Sequence, residues 1–150
     1  MADTRAQRNA EEWIATKFLP GLFPGETFER KRLSLVWGGE FQFDAVNQSN
    51  DFACLISTSA SKTKSGKFAV AKALKVKADC FYLMNCHALR RRAHVFADLS
   101  MLEHFAKEVA RGRFPPEVQL VHAVLPAVLQ RELMLSRNRA AAEVSPRPAS

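Results

Sequence analysis

A single α/β domain built on one sheet is the fold the sequence predicts, and three observations predict it. A length of 150 residues with 47% hydrophobic content supports one core and is short for two. Apolar residues recur first at helical spacing, then in strand-like alternation, then in alternating helix-like and strand-like blocks. Glycine and proline pairs fall between several of those blocks, where turns belong.

Residues 6–19 carry Ala10, Trp13, Ile14, Phe18 and Leu19 at helical spacing and leave Glu11, Glu12 and Lys17 for solvent. Pro20-Gly21 and Pro24-Gly25 follow, which predicts a loop. Residues 27–37 alternate in part, Gly38-Gly39 supplies a two-residue hairpin turn, and EFQFDAV resumes with strict alternation. On that strand Phe41, Phe43 and Ala45 are expected on one face, with Glu40, Gln42 and Asp44 on the other. NQSND turns the chain into FACLIST, an apolar run suited to a buried central strand.

After SASKTKSGK, residues 68–89 predict a helix in which Phe68, Ala71, Leu74, Ala78, Phe81 and Tyr82 track one stripe. Its second half is apolar nearly all round, so it is expected to run from a wet, basic end into the core. Arg90, Arg91 and Arg92 close it where cations suit the helix dipole. AHVFA is a short buried strand; Asp98 or Ser100 can cap the next helix, MLEHFAKEVARG, and Gly112 fits its C-terminal end. Beyond Pro115-Pro116, EVQLVHAVL is another strand. Strands that alternate with helices need crossover connections, so this half is expected to be parallel. Residues 137–150 are polar, small and proline-containing, which predicts a loose tail behind a single domain over residues 1–136.

A net charge of +7 and a pI near 9.7 point to polyanionic partners, nucleic acid first and an acidic protein or lipid surface second. The charge is unevenly placed: residues 57–77 hold six lysines and no carboxylate. No run approaches the roughly 18 uncharged apolar residues of a membrane span, and no apolar signal core follows the N-terminal charges, so a cytoplasmic location is expected. Cys54, Cys80 and Cys86 are odd in number, lie in apolar segments and lack zinc-site spacing, which predicts buried free thiols.

STSASKTKSGK at the head of a helix can offer hydroxyls, backbone N–H groups and charge to a phosphate, or it can be a solvated loop; its order is not that of a Walker A loop. No G-x-S-x-G elbow surrounds any serine, and the histidines at 87, 94, 104 and 122 scatter over several elements, so none is assigned a catalytic role. No aromatic residue interleaves with the lysines of residues 57–67, which favours duplex backbone contact over a single-strand stacking platform.

The order helix, three antiparallel strands, helix, strand resembles the PD-(D/E)XK, or restriction-endonuclease-like, superfamily over about residues 11–97. The resemblance implies an αβββαβ core, here with an additional C-terminal helix and strand. It also implies an aspartate on the second strand, a Glu-x-Lys or Asp-x-Lys on the third and a glutamate on the first helix, together holding Mg²⁺ or Mn²⁺ at a scissile phosphate. Asp44 matches the aspartate, and Glu11 or Glu12 matches the helix glutamate. Where the third-strand motif belongs, the chain reads Ile56-Ser57-Thr58-Ser59, and neutral hydroxyls bind a hard dication more weakly than carboxylates. Glu40 cannot complete the site directly, since two residues four apart on a strand lie ~13 Å apart at ~3.3 Å per residue.

The leading expectation is therefore a degenerate member of that superfamily that binds the nucleic-acid backbone, DNA ahead of RNA, with absent or altered catalysis. Lys62, Lys64, Lys67, Lys72, Lys75, Arg90, Arg91 and Arg92 are its expected phosphate contacts. The enzymatic alternative is a Mg²⁺- or Mn²⁺-dependent nuclease with Asp44 and Glu12 on the metal and Lys62 or Lys64 as a relocated lysine. A third possibility is an interaction module that meets an acidic protein partner or forms a homo-oligomer.

Overall fold

The computed structural model describes residues 4–144, with side chains through residue 140. The elements follow in the order α1 (Arg5–Trp13), a π-helical turn (Ile14–Phe18), α2 (Leu19–Leu22), β1 (Phe28–Ser34), β2 (Glu40–Asn47), β3 (Phe52–Ser57), α3 (Val70–Met84), β4 (Arg91–Phe96), α4 (Leu99–Ala110), β5 (Val118–His122) and α5 (Ala127–Val144). The five strands form one sheet in sequence order. β1, β2 and β3 pair antiparallel, whereas β3, β4 and β5 pair parallel through the crossovers that carry α3 and α4.

The sheet is covered on both faces. On one, Ala10, Ile14 and Leu19 of the first helical stretch and Leu133 of α5 pack on Ala45, Cys54, Ala93 and Val95. On the other, Val76, Cys80 and Leu83 of α3 and Met101 and Phe105 of α4 pack on Phe43, Leu55 and Phe96. This three-layer arrangement explains why β3 and β4 are apolar at successive positions: both of their faces are covered.

Several expectations need correction. Helical dihedrals continue from Trp13 through Leu19, and Pro20 is the second residue of α2 instead of the start of a loop; the π turn widens the helix just before a residue that has no N–H to offer. The β1–β2 turn is centred on Val36 and Trp37, not on Gly38-Gly39: the Leu35 N–H donates to the Gly39 carbonyl at 2.7 Å, the Gly38 N–H donates back to Leu35 at 3.0 Å, and Gly38 takes φ +93°. Strict alternation along β2 fails after Phe43. The register shifts where Glu29 faces Val46 and Lys31 faces Phe43, so β2 carries one residue more than β1 there; Ala45 consequently joins the core opposite to that of Phe43 and Val46.

In α3 the expected stripe is the outward one. Leu74 and Phe81 are exposed, while Ala73, Val76, Cys80 and Leu83 face the sheet. A helix apolar nearly all round gives periodicity no unique face to select. Residues 137–144, expected within a loose tail, belong to α5, and residues 145–150 of that expectation lie outside the described residues. The three cysteines are free and buried as expected, and the Asp98 side chain caps α4 by accepting the Ser100 N–H at 2.9 Å.

Candidate functional site

Asp44 stands where β2 and β3 stop pairing. Their ladder holds Ala45 opposite Cys54 and Val46 opposite Ala53. Next along β3, the Ile56 N–H donates to Asp44 Oδ2 at 2.8 Å, so a side-chain carboxylate replaces the main-chain acceptor. The extra residue in β2 produces this local opening, a common use of bulges.

Charged groups from three other elements gather around Asp44. Glu11 of α1 accepts from Arg30 Nη2 at 3.1 Å. Burial raises the Glu11 carboxyl above the usual carboxylate range, and the charge of Asp44 raises it further, against the pull of Arg30, Lys75 and Arg8. Burial likewise raises Asp44; the Ile56 hydrogen bond opposes this, the Asp79 charge adds to it, and Arg30 and Lys75 draw it back down. Lys75 donates to Asp79 Oδ2 at 3.0 Å from one turn earlier on α3, and burial raises Asp79 as well. Three partly desolvated carboxylates thus sit in the field of Arg30, Lys75 and Arg8, with Lys75 acting on all three, an arrangement in which a bound cation would relieve mutual repulsion.

Glu12, expected on the metal, is exposed on α1; its neighbour Glu11 is the helix glutamate coupled to Asp44. Adjacent helical residues lie about 100° apart around the axis, so only one of them can face the sheet. Lys75, expected only as a phosphate contact, is a lysine whose charge reaches both Glu11 and Asp44, whereas Lys62 and Lys64 stand exposed ahead of α3. Among the described residues no three His, Cys, Asp or Glu side chains converge as a metal site. Glu11 and Asp44 are the two carboxylates of this cluster whose charges couple, the Asp44 charge acting on Glu11.

SASKTKSGK is a small pinned hairpin. The Ala69 N–H donates to Ser61 at 2.8 Å, the Thr63 N–H donates to Lys67 at 2.7 Å, and the tip closes through the Gly66 N–H on Thr63 at 2.9 Å, with Gly66 at φ +85°. The Ser61 N–H also donates to Ser100 Oγ at 3.0 Å, which ties the base to the start of α4. Lys62, Lys64 and Lys67 are exposed on this hairpin, Lys72 is exposed on the first turn of α3, and none of the four pairs with a carboxylate among the described residues.

The arginines divide differently. Arg90 is exposed. Arg91 lies over the rings of Phe23 and Phe52, 4.7 and 4.5 Å from their centroids. Arg92 donates through Nε to Leu83 O at 2.6 Å and through Nη2 to Cys86 O at 3.0 Å, which satisfies carbonyls at the end of α3. Of the two expected as phosphate contacts, Arg92 spends its donors on these carbonyls, while Arg91 remains exposed over its two rings.

Sequence reasoning did not single out Arg30, Asp79 or His94. The first two become visible only once the β1–β2 register and the rotation of α3 are known. His94 lies fully buried on β4, its ring 4.7 Å from that of Phe96, and neither ring nitrogen has a partner among the described residues. Burial lowers its pKa to about 3, with Lys75 adding in the same direction, so it is neutral at pH 7. No helix among the described residues is long and apolar enough to cross a membrane. No protein-family model, curated protein or solved structure matches this chain.

Proposed function

We propose that the chain is a nucleic-acid-associated domain of restriction-endonuclease-like type that binds the phosphate backbone of duplex DNA through its basic hairpin and the start of α3. The observation that carries this reading is the set Lys62, Lys64, Lys67 and Lys72: exposed, without carboxylate partners among the described residues, and presented on a hydrogen-bonded support. An ammonium free of intramolecular pairing leaves the phosphate's counterions to be displaced when it binds, and their release drives association. The αβββαβ order of α1 to β4 and the position of Asp44 on the second strand support the family assignment.

The test is the affinity for a fluorescent duplex across a salt series. The combined Lys62→Gln, Lys64→Gln and Lys67→Gln protein is expected to lower the log–log salt slope by about 2.7, at ~0.9 for each phosphate that is no longer neutralised. An unchanged slope, or no binding at low salt, sinks the reading.

A metal-dependent phosphodiesterase is a second reading, favoured by one observation: Glu11 and Asp44 are both partly desolvated, the Asp44 charge acts on Glu11, and the charge of Lys75 acts on both. Glu11 and Asp44 would hold Mg²⁺ or Mn²⁺, which when bound would polarise a phosphoryl oxygen and lower the pKa of a bound water. Arg30 fixes the Glu11 carboxylate, the Ile56 N–H fixes that of Asp44, and Lys75 can leave Asp79 for a non-bridging phosphate oxygen. Mn²⁺-dependent nicking that is lost in both Asp44→Ala and Glu11→Gln but kept in Glu12→Gln is the expected pattern. Nicking that survives Asp44→Ala excludes it.

A further inference from the structure

The outward side of α3 is apolar where a solvated helix is polar. Val70, Leu74 and Phe81 are 57%, 59% and 52% exposed, and spacings of four and seven residues align them along one ridge, with Ala71 and Ala78 exposed beside it. Trp37, 61% exposed, extends the ridge by stacking on Phe81 at 5.3 Å and 21°. At these exposures the four large side chains leave on the order of 400 Å² of apolar surface in water, the size at which a patch marks a binding surface.

The ridge is rigid and its borders are neutral. The Val36 N–H donates to Asn85 O at 2.9 Å, and Asn85 Nδ2 donates to Phe81 O at 2.8 Å, so the β1–β2 turn that carries Trp37 is tied to the last turn of α3. Aromatic side chains held in place while exposed lose little freedom on binding. Lys75 and Lys77 stand on opposite sides of the ridge, and each has its own carboxylate: Asp79 at 3.0 Å and Glu108 at 3.7 Å. The exposed lysines of the hairpin stand ahead of α3, and Lys72 lies about 160° around the helix from Leu74.

We infer that this ridge is the interface of a homodimer in which the α3 helices of two copies pack antiparallel. The order of sizes along the ridge is self-complementary under a two-fold axis level with residue 76. Leu74 of each copy then stands level with Ala78 of the other, and Phe81 with Ala71, so each large side chain meets a small one. Borders on which every lysine brings its own carboxylate let two like faces meet, although each chain carries +7. Antiparallel packing also separates the hairpins: the two Val70 residues, where α3 begins, lie about 18 Å apart along the axis at ~1.5 Å per residue, beyond the ~8 Å reach of charge in physiological salt. A parallel pair would set hairpin beside hairpin. Two ridges, with the alanines and lysine stems between them, bury about 1,000 Å² in total, the lower bound of a specific interface, so a weak, concentration-dependent dimer is expected. A single nucleic-acid strand fits poorly, because Val70 and Leu74 have no ring face on which a base can stack.

Analytical ultracentrifugation of the full chain from about 1 µM to about 1 mM tests this. A monomer–dimer equilibrium is expected within that range. Leu74→Ser and Trp37→Ser should each weaken it about tenfold, as anchor residues do, while Lys64→Gln, on the hairpin, leaves it unchanged. Orientation is read with a charge pair: the Leu74→Glu and Ala78→Lys proteins are each expected to be monomeric alone and to associate when mixed, since the two positions stand level in the antiparallel pair. All three substituted ridge positions are exposed, and circular dichroism verifies that each variant is folded.

Three results overturn the inference. One is a chain that stays monomeric at about 1 mM; binding of oligothymidylate that Trp37→Ser abolishes would then make the ridge a stacking platform. Another is a dimer indifferent to Leu74→Ser and Trp37→Ser, which places the interface elsewhere. The last is no association of the mixed Leu74→Glu and Ala78→Lys proteins, which excludes the antiparallel pair.

Discussion

Lys62, Lys64, Lys67 and Lys72 stand in solvent without carboxylate partners on a hairpin and the first turn of α3, whereas beyond the other end of the same helix Arg91, though exposed, lies over two aromatic rings and the half-buried Arg92 bonds two carbonyls. Both groups are basic runs that flank α3 in sequence, although α3 ends at Met84, so Arg91 and Arg92 open β4 instead of closing the helix as expected. They part because the two cations differ: guanidinium is planar, weakly hydrated and has five N–H donors, so it can lie over Phe23 and Phe52, as Arg91 does, or bridge two carbonyls while half-buried, as Arg92 does. Ammonium is compact and strongly hydrated, and here it stays in water. The lesson is that charge density locates a surface only where the cations have nothing intramolecular to bind.

The widest test of this division concerns β4, the strand that Arg91 and Arg92 open and that carries His94. A buried neutral histidine with a folded pKa near 3 binds fewer protons than in the unfolded chain, where the pKa is about 6.5. Its contribution to stability is therefore complete above about pH 6.5 and falls by up to about 1.4 kcal/mol per pH unit as the pH drops toward 3. Glu11, Asp44 and Asp79 have raised pKa values and act in the opposite sense, favouring the fold as they protonate, so the comparison is wild type against His94→Leu in urea at several pH values. The stability gap is expected to shift toward the variant as the pH falls; a parallel pair of curves places His94 outside the acid response.

Next in size is Arg92→Ala. Removing two charge-assisted hydrogen bonds at the end of α3 is expected to cost about 3 kcal/mol in chemical denaturation, with the salt slope of duplex binding unchanged. A stable Arg92→Ala protein with a shallower slope would move Arg92 into the phosphate-binding group. Arg91→Ala, which takes a guanidinium away from two aromatic rings, should cost about 1 kcal/mol. The smallest effect belongs to the lysines: Lys64→Gln and Lys67→Gln should each stay within about 0.5 kcal/mol of wild type, since both side chains stand in solvent away from the core.

The mixed α/β class, the order of the five strands with the helices before β1, β4 and β5, a helix cap at Asp98 or Ser100, the free buried cysteines and the lysine-rich stretch are all legible in the sequence alone. Those are local properties: periodicity, capping chemistry, turn residues and charge are carried within a few neighbouring positions. Asp44 is legible on the same terms, as a carboxylate on a strand with an alternating pattern. Its surroundings are not. That Glu11 and not Glu12 approaches it, that Lys75 supplies the nearby lysine charge, and that Arg30 belongs to the cluster follow from the extra residue in β2 and from the rotation of α3. A bulge is one residue in length and leaves no period behind, and α3 is apolar on opposite sides, so its rotation is decided by fit against the sheet. The sheet takes Ala73, Val76, Cys80 and Leu83, leaving Val70, Leu74 and Phe81 in solvent. Tertiary packing alone chooses between two apolar faces of one helix, because the difference between them is the shape and size of what they meet.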